Sequence, residues 1–141
     1  MGTELGMVFE TRFENKIEEL SRVSAEARQF LQQHGVGSRA LYLADLSIEE
    51  MGTNILKYAY RDSGLHQIRL RLEIASGQLL MVLEDDGQPF NPVRAAAPNV
   101  NLPVQERVPG GLGVHLVRTL VDSMEYRRSD SVNQVTIKIR L

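Results

Sequence analysis

The strongest constraint on the fold is a period-two run that turns on a glycine into a second run. Ile68, Leu70, Leu72 and Ile74 alternate with Arg69, Arg71 and Glu73, the pattern of a strand with one buried and one wet face. Ser76-Gly77 then turns the chain into Gln78–Glu84, a nearly all-apolar strand closing on acid residues. An antiparallel hairpin of this kind exposes one greasy face that must be covered. The segments on either side of it supply the cover.

From Asn15 to His34 the apolar positions Ile17, Leu20, Val23, Ala27, Phe30 and Leu31 recur at helical spacing, and His34-Gly35-Val36-Gly37 ends that helix. Ser38 reads as the N-cap of a second helix running to about Tyr60, with Leu41, Ala44, Ile48, Met51 and Ile55 as its core stripe. A polar stripe of Ser47, Glu50, Asn54 and Lys57 lies one residue out of phase, about 100° round the helix. Residues 7–13 alternate as a first strand. A third helix is expected over 111–124, with Leu116, Val117, Leu120, Val121 and Met124 on one side, and strands over about 124–129 and 134–141. This order predicts an α+β, two-layer sandwich: a mostly antiparallel sheet with helices on one face. At 141 residues the whole chain, 1–141, fits one domain.

Composition narrows the function. A net charge of −2 gives no broad attraction to nucleic acid or anionic lipid, so neither is expected as a direct partner. The absence of cysteine excludes disulfides and thiolate metal sites. No window approaches the roughly 20 apolar residues that span a bilayer, and no signal peptide is visible, so the expectation is a cytoplasmic protein.

Three short stretches carry the chemistry. Glu50 and Asn54, at i and i+4, point the same way: a carboxylate able to act as a general base and an amide oxygen hard enough for Mg²⁺. Read alone, they serve as well as solvated polar residues. Asp85 in Asp85-Asp-Gly87-Gln-Pro89 shares parity with Leu79, Met81 and Leu83, so its carboxylate points into the layer those residues fill and needs a partner there. A plain turn accounts for that stretch equally well. Gly110-Gly-Leu-Gly113 opens a helix whose free N–H groups suit phosphate, though such a start is often only a loop exit. There is no P-loop pattern and no βαβ unit around the glycines. Lys57 and Arg107 stand where each could reach a phosphate, against the plainer reading of solvated cations. Four prolines mark residues 88–108 as a loop of binding or lid length. His34, His66 and His115 show no metal spacing.

In this order, the three stretches resemble the GHKL ATPase superfamily of gyrase, Hsp90 and histidine kinases, over nearly the whole chain from about Phe9 to Leu141. At finer grain Glu50-Met-Gly-Thr-Asn-Ile-Leu-Lys-Tyr-Ala-Tyr60, Asp85-Asp-Gly-Gln-Pro-Phe-Asn-Pro92 and Gly110-Gly-Leu-Gly-Val-His-Leu-Val-Arg-Thr-Leu-Val-Asp122 are similar to the bacterial anti-sigma factor serine kinases. The resemblance implies the Bergerat ATP-binding fold with ATP and Mg²⁺ as cofactors. Glu50 would be the catalytic base, Asn54 the Mg²⁺ ligand, and Asp85 the acid that reads the adenine amino group beside Gly87. Lys57 and Arg107 would reach phosphates. Gly111, Leu112, Gly113 and Val114 would form the phosphate-binding helix start, and residues 92–109 the ATP lid. It implies phosphorylation of a STAS-type anti-sigma factor antagonist, sequestration of a sigma factor, and homodimerisation. The alternative is an ATP-binding interaction module without efficient kinase activity. That alternative is favoured by one departure from the family resembled: Gln134-Val135 stands where some relatives carry a Gly-Thr that helps hold phosphate, and Thr136 alternates onto the other face.

Overall fold

The computed structural model describes residues 6–93 and 111–141. In chain order it contains β1 (Met7–Glu14), α1 (Ile17–Gln33), α2 (Ser38–Tyr58), β2 (Gln67–Ala75), β3 (Gln78–Asp85), α3 (Gly111–Leu120), β4 (Ser123–Ser129) and β5 (Val132–Arg140). The five strands form one sheet in the order β1-β2-β3-β5-β4, and all four pairings are antiparallel. The expected two-layer α+β sandwich is what the chain forms.

The layers follow from the two periodicities. Ile68, Leu70 and Leu72 of β2, Leu79, Met81 and Leu83 of β3, and Val135, Ile137 and Ile139 of β5 all face the helices and are buried. Their alternating neighbours form the open face. Leu20, Val23, Ala27 and Leu31 of α1 and Leu43, Ala44, Ile48, Met51 and Ile55 of α2 complete the core. Each fully buried Leu or Ile contributes about 2 kcal/mol by leaving water. The helices approach closely at Gly52, where an added Cβ would lie 2.6 Å from Leu20 Cδ1.

Turns sit where the chain supplies the residues for them. α1 ends in a Schellman motif: Gly35, at φ +73°, donates its N–H to Gln32 O at 3.1 Å, and Val36 donates to Leu31 O at 3.0 Å. Ser76 (φ 54°) and Gly77 (φ 75°) make the two-residue turn between β2 and β3, with both residues left-handed as that hairpin type requires. Asp130 (φ 52°) and Ser131 (φ 65°) do the same between β4 and β5.

Three expectations are corrected. Ser38 is the first residue of α2, and Gly37 caps it, with no side-chain cap hydrogen bond. α2 ends at Tyr58, so Ala59 and Tyr60 lie beyond it. α3 stops at Leu120, because the Asp122 N–H donates to Lys138 O at 3.0 Å and the chain joins β5 as its edge strand. Met124 is buried, but from β4. The α3 stripe is also rotated. Val114, Val117 and Val121 face inward, while Leu116 and Leu120 remain 42% and 39% exposed.

On the open face, Arg69 bonds Glu10 at 2.7 Å and pairs with Glu84, and Arg71 lies near Glu10 and Glu73. The basic look of that strand in sequence is therefore largely neutralised by its cross-strand neighbours.

Candidate functional site

One cleft opens between the C-terminal half of α2 and the ends of β3 and β5. Met51, Asn54 and Ile55 line it from α2, Leu83 and Asp85 from β3, and Asn133 and Val135 from β5. Phe90 and Pro92, from the segment after β3, lie at its mouth. Apolar walls with a few converging polar groups are the usual makeup of a small-molecule site.

Asp85 is the most constrained of these groups. It is 8% exposed, and both of its hydrogen bonds fall on Oδ1: from the Gly87 N–H at 2.9 Å and from Asn133 Nδ2 at 3.0 Å. No described residue donates to Oδ2. Burial pushes the carboxyl above its ordinary range, while the bonds from Asn133 and Gly87 pull the other way. A ligand donor would relieve the cost of that buried acid.

The turn after Asp85 is clamped to the end of α2. Gln88 donates its N–H to Ala59 O at 2.8 Å, its side-chain amide donates to Tyr58 O, and Arg61 Nε donates to Gln88 Oε1 at 2.9 Å. Gly87 must be glycine for lack of space, since an added Cβ would lie 2.5 Å from both Ala59 Cβ and Ala59 O. The second contact is backbone and cannot yield.

On α2, Asn54 is 7% exposed and its Oδ1 has no hydrogen-bond partner. Helical spacing places it on the cleft wall, as its sequence position implied. An orphaned buried amide oxygen costs about 1–3 kcal/mol, and a hard cation or a ligand donor would recover it. Glu50, one turn earlier and half-buried, faces the start of α3. A Cβ added at Gly113 would lie 1.8 Å from Glu50 Oε2 and 2.4 Å from its Cδ. Glycine at 113 is thus what leaves room for the carboxylate at the helix N-terminus.

Other expected site residues are less engaged. Lys57 is exposed in the last turn of α2, with no hydrogen bond or ion pair to a described residue. Leu112 is 52% exposed and Val114 is buried, so any part they play is through their backbone. Gly111 begins α3. Arg107 and nearly all of the expected lid, 94–109, lie outside the described residues. Among the described residues no cluster of His, Cys, Asp or Glu has a metal-binding arrangement. The fit for Mg²⁺ rests instead on the oxygen of Asn54.

The sequence reading missed two features. Asn133 sits opposite Asp85 in the β3–β5 register and serves as a hub of the polar network. Its parity with Val135, Ile137 and Ile139 was the available signal, since asparagine is unfavourable in a strand interior without a partner. His66, given no role, stacks on Tyr60 with ring centroids 4.0 Å apart. It bonds Asp62 Oδ1 at 2.9 Å and lies 3.4 Å from Asp86. The Asp62 carboxylate holds the imidazole pKa above its ordinary value.

Comparison with known proteins gives the same architecture. The family model for the histidine kinase-like ATPase domain matches residues 13–139. The chain is similar to the serine/threonine-protein kinase BtrW of Bordetella bronchiseptica, at 25% identity over 71% of this chain and 70% of that protein. It is also similar to the serine-protein kinase RsbW of Bacillus cereus, at 29% identity over 77% and 73%. A crystal structure of the RsbU and RsbW domains of a Mycobacterium tuberculosis protein superposes with a TM-score of 0.69 and 17% identity. The match covers 96% of this chain and 32% of that longer one, and at this identity it speaks for the fold alone.

Proposed function

The chain belongs to the histidine kinase-like ATPase domain family, and we propose that it is an ATP- and Mg²⁺-dependent protein serine kinase of a sigma-factor switch. In this reading it phosphorylates a STAS-type antagonist and sequesters a sigma factor, in the cytoplasm and as a homodimer. The similarity to proteins named as serine kinases supports the activity. The observation that carries the nucleotide site is the Oδ2 of buried Asp85, to which no described residue donates, across the cleft from the Oδ1 of Asn54, which no described residue satisfies.

The base amine would meet Asp85, with Gly87 leaving the turn flat against α2. Asn54 would hold the metal, which neutralises phosphate charge when bound. The backbone at Gly111, Leu112, Gly113 and Val114 would offer N–H groups to the phosphates. Lys57 and Arg107 would add charge from the two sides, and residues 92–109 would close over the site as a lid. Glu50, at the mouth of that helix start, would take the proton of the attacking serine hydroxyl.

The test is transfer of label from Mg²⁺-ATP to a purified STAS-type antagonist. Glu50→Ala should lower transfer by about 10²-fold or more with nucleotide affinity nearly unchanged. Equal labelling by that variant would remove Glu50 from the role of base. A second reading has its own observation: Val135, an apolar residue with no hydroxyl to offer a phosphate, lines the cleft. On that reading ATP stays intact while the partner complex forms, and no phosphoprotein appears.

A further inference from the structure

Asn133 reaches across from β5 with both halves of its amide occupied. It is 4% exposed. Its Oδ1 accepts from Tyr126 Oη at 2.7 Å and from Arg128 Nη1 at 2.8 Å. Two donors converging on one oxygen fix which way the amide faces, because a flip would set N–H against N–H and O–H. Nδ2 is thereby aimed at Asp85 Oδ1 at 3.0 Å, Gln88 O at 2.9 Å and Gly87 O at 3.3 Å. Arg128 completes the ring by donating to Gly87 O at 2.9 Å.

We propose that Asn133 is the positioning residue that makes this cleft selective for a purine bearing an exocyclic amine: oriented by Tyr126 and Arg128, it saturates Oδ1 of Asp85 and leaves Oδ2, to which no described residue donates, as the acceptor for the ligand. This rests on the nucleotide reading above and adds to it where the discrimination comes from. The amide has no hydrogen left for a ligand, so it acts through Asp85 and does not itself touch the base. It also keeps Asp85 an acceptor. A carboxylate that receives two N–H donors is favoured in its ionised form, and losing one of them in an apolar pocket shifts it toward the protonated form, which can donate. A donor at that position would suit a 6-oxo purine and repel a 6-amino one. The carboxamide therefore does, from two positions earlier on the final strand, what the apolar Val135 cannot.

The full-length protein and two variants, Asn133→Leu and Tyr126→Phe, are titrated with Mg²⁺-ATP and with Mg²⁺-inosine triphosphate, whose bases differ on the 6-position edge alone: 6-amino beside a bare N1 in one, 6-oxo beside an N1–H in the other. Wild type should prefer ATP. Asn133→Leu should weaken ATP by about tenfold or more while inosine triphosphate is unchanged or tighter, so that the ratio of affinities collapses. Tyr126→Phe keeps the amide but loosens its orientation, and should narrow the ratio in the same direction by about threefold. It carries the test if thermal melting shows Asn133→Leu to be unfolded. Equal losses for both nucleotides would reduce Asn133 to a structural residue and overturn the assignment, as would an unchanged ratio. Failure of wild type to bind ATP would overturn the nucleotide reading itself, and the role of Asn133 with it.

Discussion

At the β3–β5 end of the cleft, Asp85, Gly87, Gln88 and Asn133 are tied together by hydrogen bonds of 2.9–3.0 Å, with one carboxylate oxygen that no described residue donates to. At the α2–α3 end, Asn54 keeps a buried oxygen without a partner among the described residues, and Glu50 faces Gly113, where an added Cβ would strike its carboxylate. Apart from that oxygen, the polar groups of the first end satisfy one another, whereas those of the second do not. This division is economical. On the proposed reading, a flat, rigid base would need a preformed slot, while hydrated phosphate and metal would bring their own ligands and tolerate an open one. It also predicts that substitutions at the two ends will separate stability from function in opposite ways.

The largest effect is expected at Gly87. Gly87→Val places a side chain against the Ala59 carbonyl and should cost about 3 kcal/mol of stability, abolishing nucleotide binding with it. Denaturant unfolding measures the first and nucleotide titration the second. A variant as stable as wild type would mean that the turn is not the rigid element described above.

Asp85→Asn comes next. ATP affinity should fall about tenfold to a hundredfold, while the unliganded protein loses no stability at neutral pH. The sign follows from burial. An acid whose folded pKa is raised contributes stability that is present below its unfolded value and lost as pH rises through the folded one. Melting curves taken across the acid range should therefore fall less steeply with rising pH in Asp85→Asn than in wild type.

Asn54→Leu probes the other end. Removing an unsatisfied buried oxygen should raise the stability of the unliganded protein by about 1 kcal/mol and eliminate the Mg²⁺ dependence of nucleotide binding. A loss of stability there would show that the two ends are not opposites.

The smallest effect concerns His66, 3.4 Å from Asp86. Its raised pKa means that its pairing with Asp62 stabilises fully below the unfolded value and fades as pH rises through the folded one. The difference in melting temperature between wild type and His66→Gln should accordingly be larger near ~pH 5.5 than near ~pH 8.5. Equal differences at the two pH values would make the ring's contribution purely one of stacking on Tyr60.

Much of this was legible in the sequence, for reasons tied to particular residues. The strand parity of Asp85 with Leu79, Met81 and Leu83 gave its burial, and the phase of Asn54 against Met51 and Ile55 gave its place on the cleft wall. The end of α3 was not legible, because Met124 satisfies both a helical and an alternating period. Only its pairing with Ile137 decides the matter. Leu116 and Leu120 looked like core on hydropathy alone, yet the narrower valines pack inward where Gly113 lets α3 approach Glu50. Asn133, Arg128 and Tyr126 could not be read as a group. The β4–β5 register joins the first two, and the β3–β5 register joins them to Asp85.

The position of β1 has a kinetic consequence. β2 and β3, like β4 and β5, are sequence neighbours joined by tight turns, whereas β1 pairs with a strand that follows both long helices. Closing so distant a pair costs more chain entropy than closing either hairpin. During synthesis β1 leaves the ribosome before β2 and must wait, with Phe9 and Phe13 uncovered, until the strand it pairs with has been made. The charges at Glu10, Arg12 and Glu14 are well placed to keep that waiting strand from pairing with another copy of itself.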